Sequence, residues 1–140
     1  MTKTATRSAP HFLLVGDSTD IPAIESMLAK LPVGAYGQVF VEIASEVQIR
    51  PIVVPSRMVL TWLRRDRATR EIGRVAPRGE LAARAVTAWV AEWMPESQLE
   101  HARPCVLWIG CSASDRMDSL SRELTALLGE SRLHHPRSGR

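Results

Sequence analysis

Few residues in this chain announce a chemistry. There are two cysteines and four histidines in 140 residues, aromatic side chains make up 5%, and the formal charge is only +3. No apolar run approaches the ~20 residues of a bilayer-spanning helix. The first ten residues are polar and lack the apolar core, roughly 7–15 residues long, of a secretory leader. A cytosolic protein is therefore expected. Cys105 and Cys111 bracket Val106-Leu-Trp-Ile-Gly110. On a strand that spacing parts the thiols by roughly 20 Å, beyond disulfide reach, so both are expected to be reduced. His11, His101, His134 and His135 make no ligand pattern with them, and no metal site is assigned. His134-His135 reads as part of a loose tail. Neither a Ser-His-Asp grouping nor a Walker-type Gly-Lys-Ser/Thr motif is present, and no repeat or low-complexity tract occurs.

What is present describes one globular domain. Apolar residues reach 45% and charged residues 24%, enough for a real core and too mixed for a disordered chain. A first strand is expected near 12–16, then a helix near 21–31, with Ile24, Met27, Leu28 and Leu31 on one face. Gly34 and Gly37 read as chain breaks. Residues 38–43 alternate as a second strand, and 58–63 form a third. A helix over 80–94 would bury Leu81, Ala85, Val86, Trp89 and Trp93. A fourth strand covers Cys105 to Ile109. Ser114 caps a last helix over 115–128, carrying Met117, Leu120, Leu124 and Leu127. Residues 1–10 form a flexible start, 11–130 the domain and 131–140 a tail. This alternation is that of an α/β fold, a mainly parallel sheet with helices on both faces.

Candidate site residues gather at the C-terminal ends of the strands, where open α/β sheets bind ligands. Phe12 to Val15 run into Gly16, then small polar residues, then a helix opened by Pro22. Free backbone N–H groups at such a turn suit a phosphate, although the same sequence serves a plain strand–helix turn. Gly16 permits close approach. Asp17 repels an anion unless it caps the helix. Ser18 and Thr19 can donate hydroxyl hydrogen bonds, or Thr19 or Asp20 can cap. Glu42, near the end of the second strand, fits either a ribose-binding acid or a solvent-facing residue. Arg64 and Arg65 open a stretch with six arginines up to Arg78, against Asp66 and Glu71. It reads as an anion-holding surface or a solvated loop. Gly110, Cys111 and Ser112 form the third loop. Cys111 sits where a helix N-terminus could activate it, but no histidine accompanies it. The tryptophans at 62, 89, 93 and 108 read as core. The basic stretch lacks aromatic interleaving, so nucleic acid is not an expected partner.

The ordered strings LLVGDSTDIPAI, GQVFVEIAS, VLTWLRRD and VLWIG before a helix resemble the C-terminal domain of siderophore-interacting proteins. This family is related to ferredoxin–NADP reductases and includes bacterial ferric-siderophore reductases. The resemblance implies a single Rossmann-like domain of four to five strands that receives NADPH or NADH. FAD would be bound by an N-terminal barrel, which the likeness does not cover. It follows that this chain alone does not bind FAD and needs a flavoprotein partner in trans. Arg64 and Arg65 would then meet the 2′-phosphate of NADPH or the carboxylates and catecholates of a ferric siderophore. Two departures stand out. The family's Gly-Glu-Ala after the fourth strand is here Gly110-Cys111-Ser112-Ala113, and its closing aromatic segment is replaced by His134-His-Pro-Arg-Ser138. A fifth strand is thus expected to be lost or supplied by a neighbouring chain, which opens an edge for a homodimer. A non-catalytic binding or assembly domain is the competing implication.

Overall fold

Five parallel strands make one sheet in the order β3-β2-β1-β4-β5. The computed structural model describes residues 10–68, 73–94, 105–129 and 132–136. Its strands are β1 (His11–Asp17), β2 (Tyr36–Ile43), β3 (Met58–Arg64), β4 (Cys105–Ile109) and β5 (Leu133–His134). The helices are α1 (Ile21–Ala29), α2 (Glu80–Trp93) and α3 (Asp115–Leu128).

The two cores follow from side-chain alternation along the strands. Leu14 on β1 and Val39, Val41 and Ile43 on β2 pack with Ile21, Ile24 and Leu28 of α1. Leu13, Val15, Leu107 and Ile109 face the other way, against Val86, Trp89 and Val90 of α2 and Met117 and Leu124 of α3. Fully burying one such side chain contributes about 1.5–3 kcal/mol. The chain builds β1, β2 and β3 in one direction, then crosses back to place β4 on the other side of β1. The switch point of the sheet therefore lies between β1 and β4.

The α/β expectation holds, and the differences have local causes. Helix α1 stops at Ala29 rather than 31, because Pro32 disfavours helical backbone at the residue before it. Gly37 does not break the chain; it lies inside β2, which begins at Tyr36. Helix α2 buries Ala82, Ala83, Val86, Trp89 and Val90, while Trp93 is 47% exposed and leaves the expected core set. Trp93 instead meets buried His11 edge-on at 4.7 Å, beside Tyr36 and Trp89. A fifth strand is present within this chain. Leu133–His134 pairs with Leu107–Trp108. His135 is held by the Ile109 carbonyl and the Asp118 carboxylate, each at 2.5 Å, so the histidine pair is part of the fold rather than a loose tail. No helix among the described residues is long and apolar enough to cross a membrane.

Candidate functional site

Asp17 ends β1 with extended backbone, and a short 3-10 turn over Ser18–Asp20 leads into α1. Asp17 and Asp20 cap this turn reciprocally. The Asp17 carboxylate accepts from the Thr19 N–H at 2.9 Å and from the Thr19 hydroxyl at 2.6 Å. The Asp20 carboxylate accepts from the Asp17 N–H at 2.9 Å. This is capping-box geometry with a second aspartate in the place usually taken by Glu or Gln. Pro22 follows in the first turn of α1, where a missing N–H costs nothing.

Asp20 also reaches across the switch point. The same oxygen, Oδ2, accepts from the Cys111 N–H at 2.8 Å. Backbone pairing continues just inside this contact, where the Gly110 N–H donates to the Val15 carbonyl at 2.7 Å. Gly16 and Gly110 leave room for this side chain, with Ile24 and Trp108 also close to them. A Cβ on Gly16 would stand 2.6 Å from the Asp20 Cβ, and one on Gly110 would stand 2.5 Å from the Asp20 Oδ2.

Cys111 is 1% exposed and holds a left-handed backbone, φ 57°. Burial pushes its thiol well above the ordinary range, and the nearby carboxylates of Asp17, Asp20 and Glu42 push it further. A thiol so placed is not a nucleophile at neutral pH, whatever helix N-terminus lies nearby. It also makes stability fall in alkali. Below about pH 8.5 folded and unfolded chains both keep the proton; above it only the unfolded chain releases it. Cys111 should thus remove about 1.4 kcal/mol of stability per pH unit above that point. Urea melts at pH 8 and 10 test this, and Cys111→Ala should shallow the decline by that amount. Equal slopes for the two proteins would refute it.

Asp20 is half-buried. Burial raises its carboxyl above the ordinary value, opposed by the Cys111 and Asp17 N–H groups that hold the charged form. Ligand atoms of Asp17, Asp20 and Cys111 all lie within 4.8 Å of one another. The β1–β4 edge therefore holds two acidic side chains beside a buried thiol.

Glu42 does not face solvent, and both of its carboxylate oxygens are taken by backbone of the chain itself. It is 2% exposed on the β2 face that packs towards α2. Its two carboxylate oxygens accept from the Gly79 N–H at 2.7 Å and the Ala82 N–H at 2.9 Å, capping α2. Arg65 approaches the same carboxylate at 3.9 Å and donates to the Ala76 carbonyl at 3.1 Å. Arg64 grips Asp66 with two bonds of 3.1 and 3.0 Å and lies 3.7 Å from Glu46. Those bonds raise the guanidinium and lower the Asp66 carboxyl from their ordinary values. Both arginines are thus engaged by acids of the chain itself. Arg70 and Glu71 of the basic stretch, and His101, lie outside the described residues.

The fold accordingly brings Gly16, Asp17, Gly110 and Cys111 together at one edge. Thr19 is bound to Asp17, half-buried Ser18 lies in the turn, and half-buried Ser112 follows Cys111. Glu42 and Arg65 belong to an internal cap, and Arg64 to a neighbouring ion pair. The sequence marks Asp20 as a possible cap, and the Asp-x-x-Asp spacing signals half of its role. The other half, 91 residues away at Cys111, leaves no mark in the sequence.

A nucleotide phosphate does not fit this edge as it stands. The two converging N–H donors are already taken by Asp20, and the surrounding charge is negative.

Comparison with known proteins sets this geometry in a family. The sequence pattern of the siderophore-interacting protein family matches residues 9–134. Ferric vibriobactin reductase ViuB of Vibrio cholerae is 39% identical over 58 residues, which cover 41% of this chain and 21% of that protein. A siderophore utilization protein from T. fusca has a TM-score of 0.63 at 24% identity, covering 94% of this chain and 46% of that one. Ferredoxin-NADP+ reductase from Plasmodium falciparum has a TM-score of 0.53 at 11% identity, covering 98% of this chain and 55% of that one. The chain thus spans about half the length of these solved structures, and at such identities they show the fold alone. With the family pattern covering nearly all of the described residues, the chain belongs to the siderophore-interacting protein family.

Proposed function

We propose that this chain acts in ferric-siderophore reduction as the nicotinamide-nucleotide side of a flavin-dependent reductase, with the flavin carried outside these 140 residues. The observation that carries this reading is the family match over residues 9–134, on a parallel sheet whose switch point falls between β1 and β4. The ferric siderophore is the substrate. Reducing Fe(III) loosens the chelate, because hard oxygen ligands hold Fe(II) less tightly. Bound NADPH or NADH would supply reducing equivalents to the flavin carrier. This chain's own part is to bind and orient, since it offers no acceptor for hydride.

A second reading has its own support. The carboxylates at the β1–β4 edge, and the internal engagement of Arg64 and Arg65, suit a domain that binds or assembles without catalysis. Self-association would use an open sheet edge; among the described residues β5 covers β4 at Leu107 and Trp108, and β3 pairs on one side.

Calorimetric titration with NADPH and NADH separates the two. Weak binding that favours NADPH is expected, and Arg64→Ala should lower that affinity several-fold if Arg64 turns from Asp66 to the 2′-phosphate. Arg65→Ala must be read beside its melting temperature, because it also breaks the contacts with Glu42 and Ala76. No heat with either nucleotide, from the folded chain and from folded Asp20→Ala alike, sinks the nucleotide reading and leaves the binding or assembly domain.

A further inference from the structure

We propose that Asp20 is an internal competitor for anions: its carboxylate occupies the Asp17 and Cys111 N–H donors at the β1–β4 edge, so a phosphorylated ligand enters only when Asp20 withdraws. This rests on the nucleotide reading for the identity of the ligand, but not for the exclusion itself.

Three independent observations converge on this side chain. One oxygen takes both donors, at 2.9 and 2.8 Å, from the ends of the two strands that flank the switch point. That is the arrangement in which backbone N–H groups hold a phosphate oxygen, with the chain's own carboxylate in the oxygen's place. The two glycines at those strand ends are shaped to Asp20. A Cβ at either position would collide with its carboxyl group or Cβ. Finally, Asp17 lies within 4.8 Å of the same point. An incoming phosphate would face two negative charges, while Arg65 is tied to Glu42 and Ala76 and Arg64 to Asp66.

The block is reversible in principle. Both bonds are made by a side-chain oxygen, so side-chain torsions alone break them, with no change to the sheet. Asp20 is only half-buried, and the lost solvation of its carboxyl favours release. The residue therefore sets which ligands the edge accepts. It weakens anions relative to neutral groups and makes phosphate affinity depend on where one carboxylate points.

The test uses the whole chain with inorganic pyrophosphate and NADPH as separate probes, titrated into wild type, Asp20→Ala and Asp20→Asn. Glu92→Gln, on the exposed side of α2, controls for net charge. Asp20→Ala should bind pyrophosphate at least tenfold more tightly than wild type, with Asp20→Asn in between and Glu92→Gln unchanged. Equal pyrophosphate affinity in wild type and Asp20→Ala, including none in either, overturns the proposal. So does an equal gain in Glu92→Gln. Should Asp20→Ala not fold, Asp20→Asn decides alone, because it keeps an acceptor in place and removes the charge. A gain for pyrophosphate without one for NADPH supports the block and removes the nucleotide reading. Equal pyrophosphate affinity in the two proteins, with NADPH bound by both, overturns the block and leaves the nucleotide reading standing.

Discussion

Glu42→Ala is expected to lower stability by about 3 kcal/mol and the melting temperature by roughly 10 °C. The carboxylate is 2% exposed and accepts two backbone N–H bonds, at 2.7 Å from Gly79 just before α2 and at 2.9 Å from Ala82 in its first turn. Truncation leaves both donors buried without an acceptor, at about 1–3 kcal/mol each. It also leaves the Arg65 guanidinium without the acid it approaches at 3.9 Å. Glu42→Gln keeps one acceptor and loses the second, so it should recover about half of the loss. Thermal melts followed by circular dichroism measure this directly. Had Glu42 been a ribose ligand, the substitution would change nucleotide affinity and leave the melt alone. A Glu42→Ala melt within about 2 °C of wild type would show that the cap contributes little.

Gly37→Ala should be more damaging still, costing more than about 4 kcal/mol and leaving little native protein. Gly37 has φ +146° and sits opposite Phe12 where β1 and β2 pair. A Cβ there would land on the Phe12 carbonyl oxygen, with the Phe12 carbonyl carbon 2.8 Å and its nitrogen 2.9 Å away. Backbone cannot rotate aside as a long side chain can, and both strands are fixed by neighbours in the middle of the sheet. Gly73→Ala is the matched control. Its φ is +79° with nothing within 4 Å, so it should show only the backbone penalty of about 1 kcal/mol. Loss of the near-ultraviolet dichroism of the tryptophans in Gly37→Ala, retained in Gly73→Ala, is the expected result. Native melts for both variants would defeat the argument.

Local signals carried the elements as far as they could. Cys105–Ile109 and Asp115–Leu128 appear where the sequence places them. Each has an unambiguous boundary: Gly110 ends the apolar run of the strand, and Ser114 accepts from the Met117 N–H to start the helix. The other side of such reading is Gly37, where glycine signals a break in general but here serves a close approach between strands. Two residues are too few for any periodicity, so β5 could not be found from Leu133-His134. What pairs them with β4 is the far end of a chain folded back over α3.

The amino-acid sequence by itself determined the α/β class, the two-sided burial of the strands and the turn chemistry at Asp17 and Ser114, because these depend on residues within a few positions of one another. Only the tertiary structure decided what the acids do. Glu42 meets Gly79 and Ala82, 37 and 40 residues away, and Asp20 meets Cys111 across 91. A carboxylate looks the same in a sequence whether it waits for a ligand or satisfies the chain's own N–H groups. The distinction is set by which backbone donors the folded sheet brings to it.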